Sequence, residues 1–198
     1  QPFVVESKSG AGGTIAAATV ARAAPDGYTL LVTTAGHSVA GALFETLSYR
    51  SVEDFQMLST VTHFPFLIVV KDDSPYHSLT ELLAATRSGK AAPSYGTAGI
   101  GTTHHLAGEL LVKTSGAEML HVPYRGDAAS TTGLLGGEVD FIIAPPTAVV
   151  QHIKAGKLRA LATTSAARWP SMPELPTVAE QGVSGYDVTS WAGFMAPA

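Results

Sequence analysis

The sequence predicts an α/β fold with a largely parallel sheet, arranged in two lobes. Three observations carry this. Short apolar runs alternate with helical stretches of about 8–12 residues, the pattern of strand–helix–strand units. Hydrophobic residues make up 45% of the 198, enough for a sizeable core. Charged residues are only 14%, against about 25% in an average soluble domain, so Ser, Thr, Gly, His and backbone groups must cover much of the surface.

The elements follow in chain order. Phe3 to Glu6 predicts a strand, followed by the loop Ser9-Gly10-Ala11-Gly12-Gly13-Thr14. Ile15 to Ala24 is an alanine-rich helix ended by the turn Pro25-Asp26-Gly27, and Tyr28 to Thr33 is an apolar strand. This opening reads as a right-handed βαβ unit. Ser38 to Phe44 predicts a helix. Val52 to Val61 and Phe64 to Lys71 read as extended segments around one turn. Ser78 caps a helix with Glu81 as its capping box, Leu79, Leu82 and Leu83 forming the stripe and Gly89 just past its end.

Strands follow at Ala92 to Tyr95, Met119 to Val122, Val139 to Ala144 and Leu158 to Thr163. Helices lie between them at Thr103 to Thr114, Ala128 to Leu135 and Ala148 to Lys154, the first with an exposed Glu109–Lys113 pair. Thr177 to Gln181 is a helical turn and Tyr186 to Phe194 a last strand. Composition divides the chain into lobe I (1–65 and 166–198) and lobe II (74–163), with crossings at 66–73 and 164–165. The chain opens and closes on strand-like runs, so lobe I reads as incomplete at both termini, with an exposed sheet edge.

Several chemistries are excluded. With no cysteine there is no disulfide, thiolate zinc site, iron–sulfur cluster or cysteine nucleophile. A net charge of −4 without a basic stripe argues against nucleic acid. No apolar run approaches the roughly 20 residues of a membrane helix. Neither a P-loop nor a dinucleotide fingerprint fits Ser9 to Thr14, where no lysine follows Gly13 and Ile15 replaces the third glycine. No Gly-x-Ser-x-Gly occurs. His104, His105 and Glu109 lack a third ligand at usable spacing, so neither a metal nor a cofactor is expected. His121 reads as a packed strand residue.

The strongest local feature is Gly96-Thr97-Ala98-Gly99-Ile100-Gly101-Thr102-Thr103-His104, between a strand and a helix. Unpaired N–H groups and partial positive charge at a helix start make an anion site. An ordinary glycine turn with Thr102 as N-cap fits the same residues.

The run from Tyr95 to Leu110 resembles the Bug family, the periplasmic solute-binding receptors of tripartite tricarboxylate transporters. Glu6 to Thr14, Ala24 to Leu31, His121 to Gly126, Leu134 to Gly137, Ile153 to Ala162 and Pro173 to Glu180 are similar to family segments in the same order. The resemblance implies a type II periplasmic-binding-protein-like fold. Its two lobes would close on a small organic carboxylate for delivery to membrane transporter subunits. It implies no enzyme activity, no membrane insertion and no nucleic-acid partner. Carried over, ligand binding falls to Gly101, Thr102, Thr103 and His104, to Gly126, Asp127 and Ala128, and to His37 and Ser38 from the other lobe.

Two departures from the family stand out. Its earlier strand and Pro/Gly-rich loop are not in this sequence. Ala144-Pro145-Pro146 replaces its Asp-Asn pair, which favours a less polar ligand. The alternative from another class is a hydrolase or isomerase acting on an organic acid, which would require a nucleophile–base or metal constellation.

Overall fold

Alternation of apolar residues along two central strands decides where the core lies. In the computed structural model, which describes residues 2–86 and 92–198, β3 (Leu67–Lys71) and β6 (Phe141–Ala144) are buried almost throughout. Phe66, Ile68, Val70, Phe141 and Ile143 face one side, against α3 (Leu79–Thr86) and α4 (Thr103–Ser115). Leu67, Val69, Ile142 and Ala144 face the other, against α5 (Asp127–Gly136) and α6 (Pro146–Lys154). A period of two thus serves two separate helix layers.

These strands belong to a five-stranded sheet ordered β5-β4-β6-β3-β7, with β4 at Ser94–Thr97, β5 at Leu120–Pro123 and β7 at Leu158–Thr163. β4 pairs parallel with β5 and β6, while β3 runs antiparallel to both β6 and β7. Four strands therefore run one way and β3 alone the other. A second, three-stranded sheet has the order β1-β8-β2, from β1 (Leu31–Thr34), β8 (Thr189–Pro197) and β2 (Phe55–Pro65). On one side it packs with α1 (Thr14–Ala21) through Ala17, Val20, Leu31, Tyr49, Phe55 and Met195. Helix α2 (Gly36–Leu43) follows β1.

The expected α/β architecture of helix-flanked sheets is present, but the smaller sheet is antiparallel at both pairings, not mostly parallel. The reason is connectivity. Parallel neighbours need a helical crossover, whereas β2 runs into β3 with only Phe66 between them. The chain enters the large sheet as a reversed strand, and β8 returns as the reversed strand of the small one.

Phe3 to Glu6 is not a strand. Phe3, Val4 and Val5 are 87%, 86% and 92% exposed, and no strand among the described residues pairs with them, so the expected opening βαβ unit does not form. An apolar run becomes a strand only where a ladder partner satisfies its backbone. The segment 166–198, expected in lobe I, divides. Val178, Val183 and Tyr186 sit in the core with α3 and α4, and only β8 joins the small sheet. Thr177 makes an isolated parallel bridge to Thr163, and Val178 to Gln181 forms turns rather than helix.

Glu81 N–H donates to Ser78 Oγ at 3.1 Å, while the Glu81 carboxylate accepts from His77 N–H at 2.6 Å. Gly89 lies outside the described residues. Glu109 turns to Tyr95, whose hydroxyl donates to it at 2.7 Å. No helix among the described residues is long and apolar enough to cross a membrane.

Thr164 ties the chain crossings together. Its hydroxyl accepts from Phe66 N–H at 2.8 Å and donates to Val188 O at 2.6 Å. Its backbone N–H reaches Phe66 O at 3.0 Å, and its carbonyl accepts from Val188 N–H at 2.8 Å.

Candidate functional site

Parallel strands β4 and β6 end at the same edge of the large sheet, where α/β folds bind ligands. After β4 the chain turns through Ala98-Gly99-Ile100-Gly101. Gly99 and Gly101 have φ of 128° and 80°, a region glycine occupies without strain. Thr102 then caps α4, its hydroxyl donating to Gly99 O at 2.7 Å and accepting from His105 N–H at 3.3 Å. The two readings of this motif divide between neighbours. The Thr102 hydroxyl is used by the cap, whereas the Thr103 hydroxyl is buried without a partner.

His104 lies between two elements. Its ring packs on Phe66, with centroids 4.4 Å apart, and its Nε2 is 3.1 Å from Asp127 Oδ1. The pair is within ion-pair distance but lacks hydrogen-bond alignment. Both ring nitrogens and Oδ1 are buried without a hydrogen-bond partner. Asp127 is the first residue of α5, whose N-cap Gly126 has φ of 102° and offers no side chain. The Gly126 N–H donates to Ala98 O at 3.1 Å, which joins the two helix starts.

One turn into α5, Ser130 and Thr131 are buried, and their hydroxyls have no partner. Residues 127, 130, 131 and 134 share one helix face, which passes from polar to Leu134 in the core. The sequence does not single out Ser130 or Thr131, and it marks Phe66 only as a packed strand residue. That polar-to-apolar change along one face is the signal that points to the two hydroxyls.

The small sheet reaches the same place. A Cβ at Gly36, the first residue of α2, would lie 3.9 Å from Thr103 N. Gly101 packs against Leu43 and Phe44. His37 is turned away. Its Nε2 is 2.9 Å from Ser51 O, and its ring stacks on Tyr49 and meets Phe55 edge-on. Ser38 and Ala128 are exposed. The fold therefore gathers Gly101, Thr102, Thr103, His104, Gly126 and Asp127, and leaves the His37 ring out.

Beneath the glycine loop, His121 stacks on Tyr95 and lies 4.5 Å from the His105 ring, with Nε2 2.7 Å from Thr97 Oγ1. Burial, and then the neighbouring His105, hold its pKa below the ordinary imidazole value, while Glu109 opposes this. His105 Nε2 is 3.9 Å from Glu109. Among the described residues, no group of three or more His, Asp or Glu side chains could hold a metal ion.

The arrangement is two helix starts converging over a strand edge, with backbone N–H donors and buried hydroxyls, suited to an organic anion. Comparisons with known proteins bear on it directly. The model of the tripartite tricarboxylate transporter family receptor matches residues 1–198. A UPF0065 protein from the tcbD-tcbE intergenic region of Pseudomonas sp. strain P51 is 39% identical over 198 residues, covering 100% of this chain. R. palustris Rpa4515, solved with adipate, superposes with a TM-score of 0.94 at 36% identity, over 98% of this chain and 66% of that one. The periplasmic binding protein BugD gives 0.91 at 40% identity, over 98% and 65%.

This chain belongs to the tripartite tricarboxylate transporter receptor family. It spans 59% of the length of the Pseudomonas relative. The periplasmic-binding fold and the Bug resemblance read from the sequence are thereby established.

Proposed function

We propose that this chain supplies the ligand-binding cleft of a periplasmic receptor. It would capture a small organic carboxylate and hand it to membrane transporter subunits, without chemical change to the ligand. One observation carries the reading. The starts of α4 and α5 are joined by the Gly126 N–H to Ala98 O hydrogen bond, and early in those helices the hydroxyls of Thr103, Ser130 and Thr131 are buried without partners. A buried hydroxyl without a hydrogen bond costs about 1–3 kcal/mol, and a carboxylate seated there would satisfy it. Family membership and the adipate held by Rpa4515 support the same class of ligand. On this reading Thr103 and the N–H groups of α4 and α5 receive the carboxylate. Thr102, Gly101 and Gly126 shape the loops, and Gly36 brings the other sheet to the mouth.

A thermal-shift screen against mono-, di- and aromatic carboxylates tests this. A ligand at 100 times its Kd should stabilise the fold by about 2.7 kcal/mol. Replacing Thr103 with Val keeps the shape and removes the hydroxyl. Calorimetry should then record a loss of about 1–3 kcal/mol of carboxylate affinity. Unchanged affinity would remove Thr103 from the site, and conversion of the bound acid to a product would favour an enzyme.

A further inference from the structure

Beneath the glycine loop, two imidazoles supply the lone pairs on which two loop amides depend. The Gly101 N–H donates to His105 Nδ1 at 3.5 Å. That nitrogen is therefore unprotonated, and the proton of a neutral ring sits on Nε2, 3.9 Å from Glu109 Oε1. The Gly99 N–H donates to Thr97 Oγ1 at 3.3 Å. Thr97 is fully buried, so its own proton needs an acceptor, and His121 Nε2 at 2.7 Å provides one. His121 is then neutral as well, with its proton on Nδ1.

The two ring centroids are 4.5 Å apart, close enough that charge on one opposes charge on the other and the pair titrates as a unit. Glu109 faces the pair from α4. Tyr95 faces it from β4, its ring stacked on His121 and its hydroxyl donating to Glu109. His104, next in the chain, turns instead to Phe66 and Asp127. The loop from Gly96 to Thr103 adds no titratable side chain. A proton on either ring has the same result. On His105 it sets an N–H against the Gly101 N–H. On His121 it sets an N–H against the Thr97 hydroxyl, whose buried proton then has no acceptor.

We propose that His105 and His121 are positioning residues of the candidate site, a latch that holds the glycine loop while both rings are neutral and frees it when the pair takes up one proton. Thr102 and Thr103 follow directly on Gly101, and Gly101 packs against Leu43 and Phe44 at the end of α2. Release of the loop thus reaches both the start of α4 and the contact with the small sheet's helix. The consequence for binding rests on the carboxylate reading above: acidification weakens capture while the ligand is still ionised.

NMR on the full chain tests the latch, following ring signals and amide exchange together from about pH 7.5 to about pH 5.5, across the ordinary imidazole range. Protection of the Gly99 or Gly101 amide, corrected for the intrinsic pH dependence of exchange, should fall about three- to tenfold, the scale of one neutral hydrogen bond. The fall should share its midpoint with the ring signals. His105→Asn combined with His121→Gln offers an amide oxygen at each acceptor position and no titrating group, and its loop amides should keep their protection throughout. His105→Phe keeps a ring without an acceptor and should lower Gly101 protection at both ends of the range. Amides that do not follow the rings, or an equal fall in the double variant, would overturn the inference. If the double variant does not fold, the profiles of the parent and of His105→Phe decide.

Adipate, which Rpa4515 holds, probes the consequence by calorimetry. Its affinity should fall about three- to tenfold between about pH 7.5 and about pH 6 in the parent, beyond any fall in the double variant, which sees the same ligand titration. Equal falls in the two proteins would separate the latch from binding and overturn its role at the site. Absence of adipate binding at either pH would count against the carboxylate reading, and the amide profile would then decide the latch alone.

Discussion

Leu67 to Val70 and Phe141 to Ala144 are buried between helix layers, while eight consecutive residues of β2, Gln56 to His63, are exposed. Both regions are sheet, and both carry β-branched and aromatic residues. What separates them is clothing. The large sheet has helices on both faces, so each strand position contributes to one of two cores. The small sheet is packed on the α1 side, and Val32 (66% exposed) and its partner Phe194 (37%) face away from that core. Register shifts between Met57 and Ser59 and between Thr60 and Thr62 interrupt the exposed strand. Such irregularities make an edge a poorer template for another chain. Burial on two faces, more than strand propensity, holds the large sheet and with it the helix starts of the site.

The sharpest way to break this contrast is Phe141→Ala. Phe141 is fully buried between Tyr95 and α4, and the change should cost about 3–5 kcal/mol in a urea melt. A loss below about 1 kcal/mol would mean that the large sheet is not the stability centre. Thr164→Val comes next. It removes the hydroxyl that accepts from Phe66 N–H and donates to Val188 O, leaving buried groups unpaired at a cost of about 1–3 kcal/mol. If the two sheets depend on that junction, calorimetric unfolding of this variant should separate into two transitions.

A smaller effect is expected from pH. His121, which faces Tyr95, His105, Thr97 and Glu109, has its folded pKa held below the ordinary 6.5. The unfolded chain therefore takes up the proton first as pH falls. Stability contributed here is complete above that range and is lost as pH drops through 6.5 toward the lower folded value. A His121→Gln variant should show a shallower fall in Tm between neutral and mildly acidic pH. An unchanged slope would move the titration elsewhere. The smallest effect is assigned to Val32→Thr on the open face, within about 0.5 kcal/mol of the parent. A loss comparable to that of Phe141→Ala would make the open face as important as the closed one.

Legibility from the sequence followed the range of each signal. The Ser78 and Thr102 caps and the glycine turns act within a few residues, and each forms at the residues the sequence predicts, although the Glu81 carboxylate reaches His77 N–H and not Ser78 N–H. Strand direction did not show, because it depends on Leu31 meeting Met195 and Phe55 meeting Pro197. Phe3 to Val5 had every local mark of a strand and lacks only a partner. At the candidate site, the glycine motif directs attention to Thr103 and His104. Ser130 and Thr131 stayed hidden because a helical hydroxyl can face solvent as readily as a cleft. His37 lies near the anticipated position, but its ring packs with Tyr49 and Phe55 in the small core.

Placing β8 between β1 and β2 also sets a timetable. The outer two strands of the small sheet touch only through a partner that follows them by well over a hundred residues. In a chain delivered N-terminus first, β1 and β2 emerge long before the strand that joins them. The strands and helices of the large sheet emerge in the interval and can assemble by mostly nearer contacts, which form sooner. The last turns of the 166–188 segment then complete that core, and the small sheet closes only after 189–197 arrives. Its exposed strands must wait longest, and β2, the most exposed of them, is the one with an interrupted ladder.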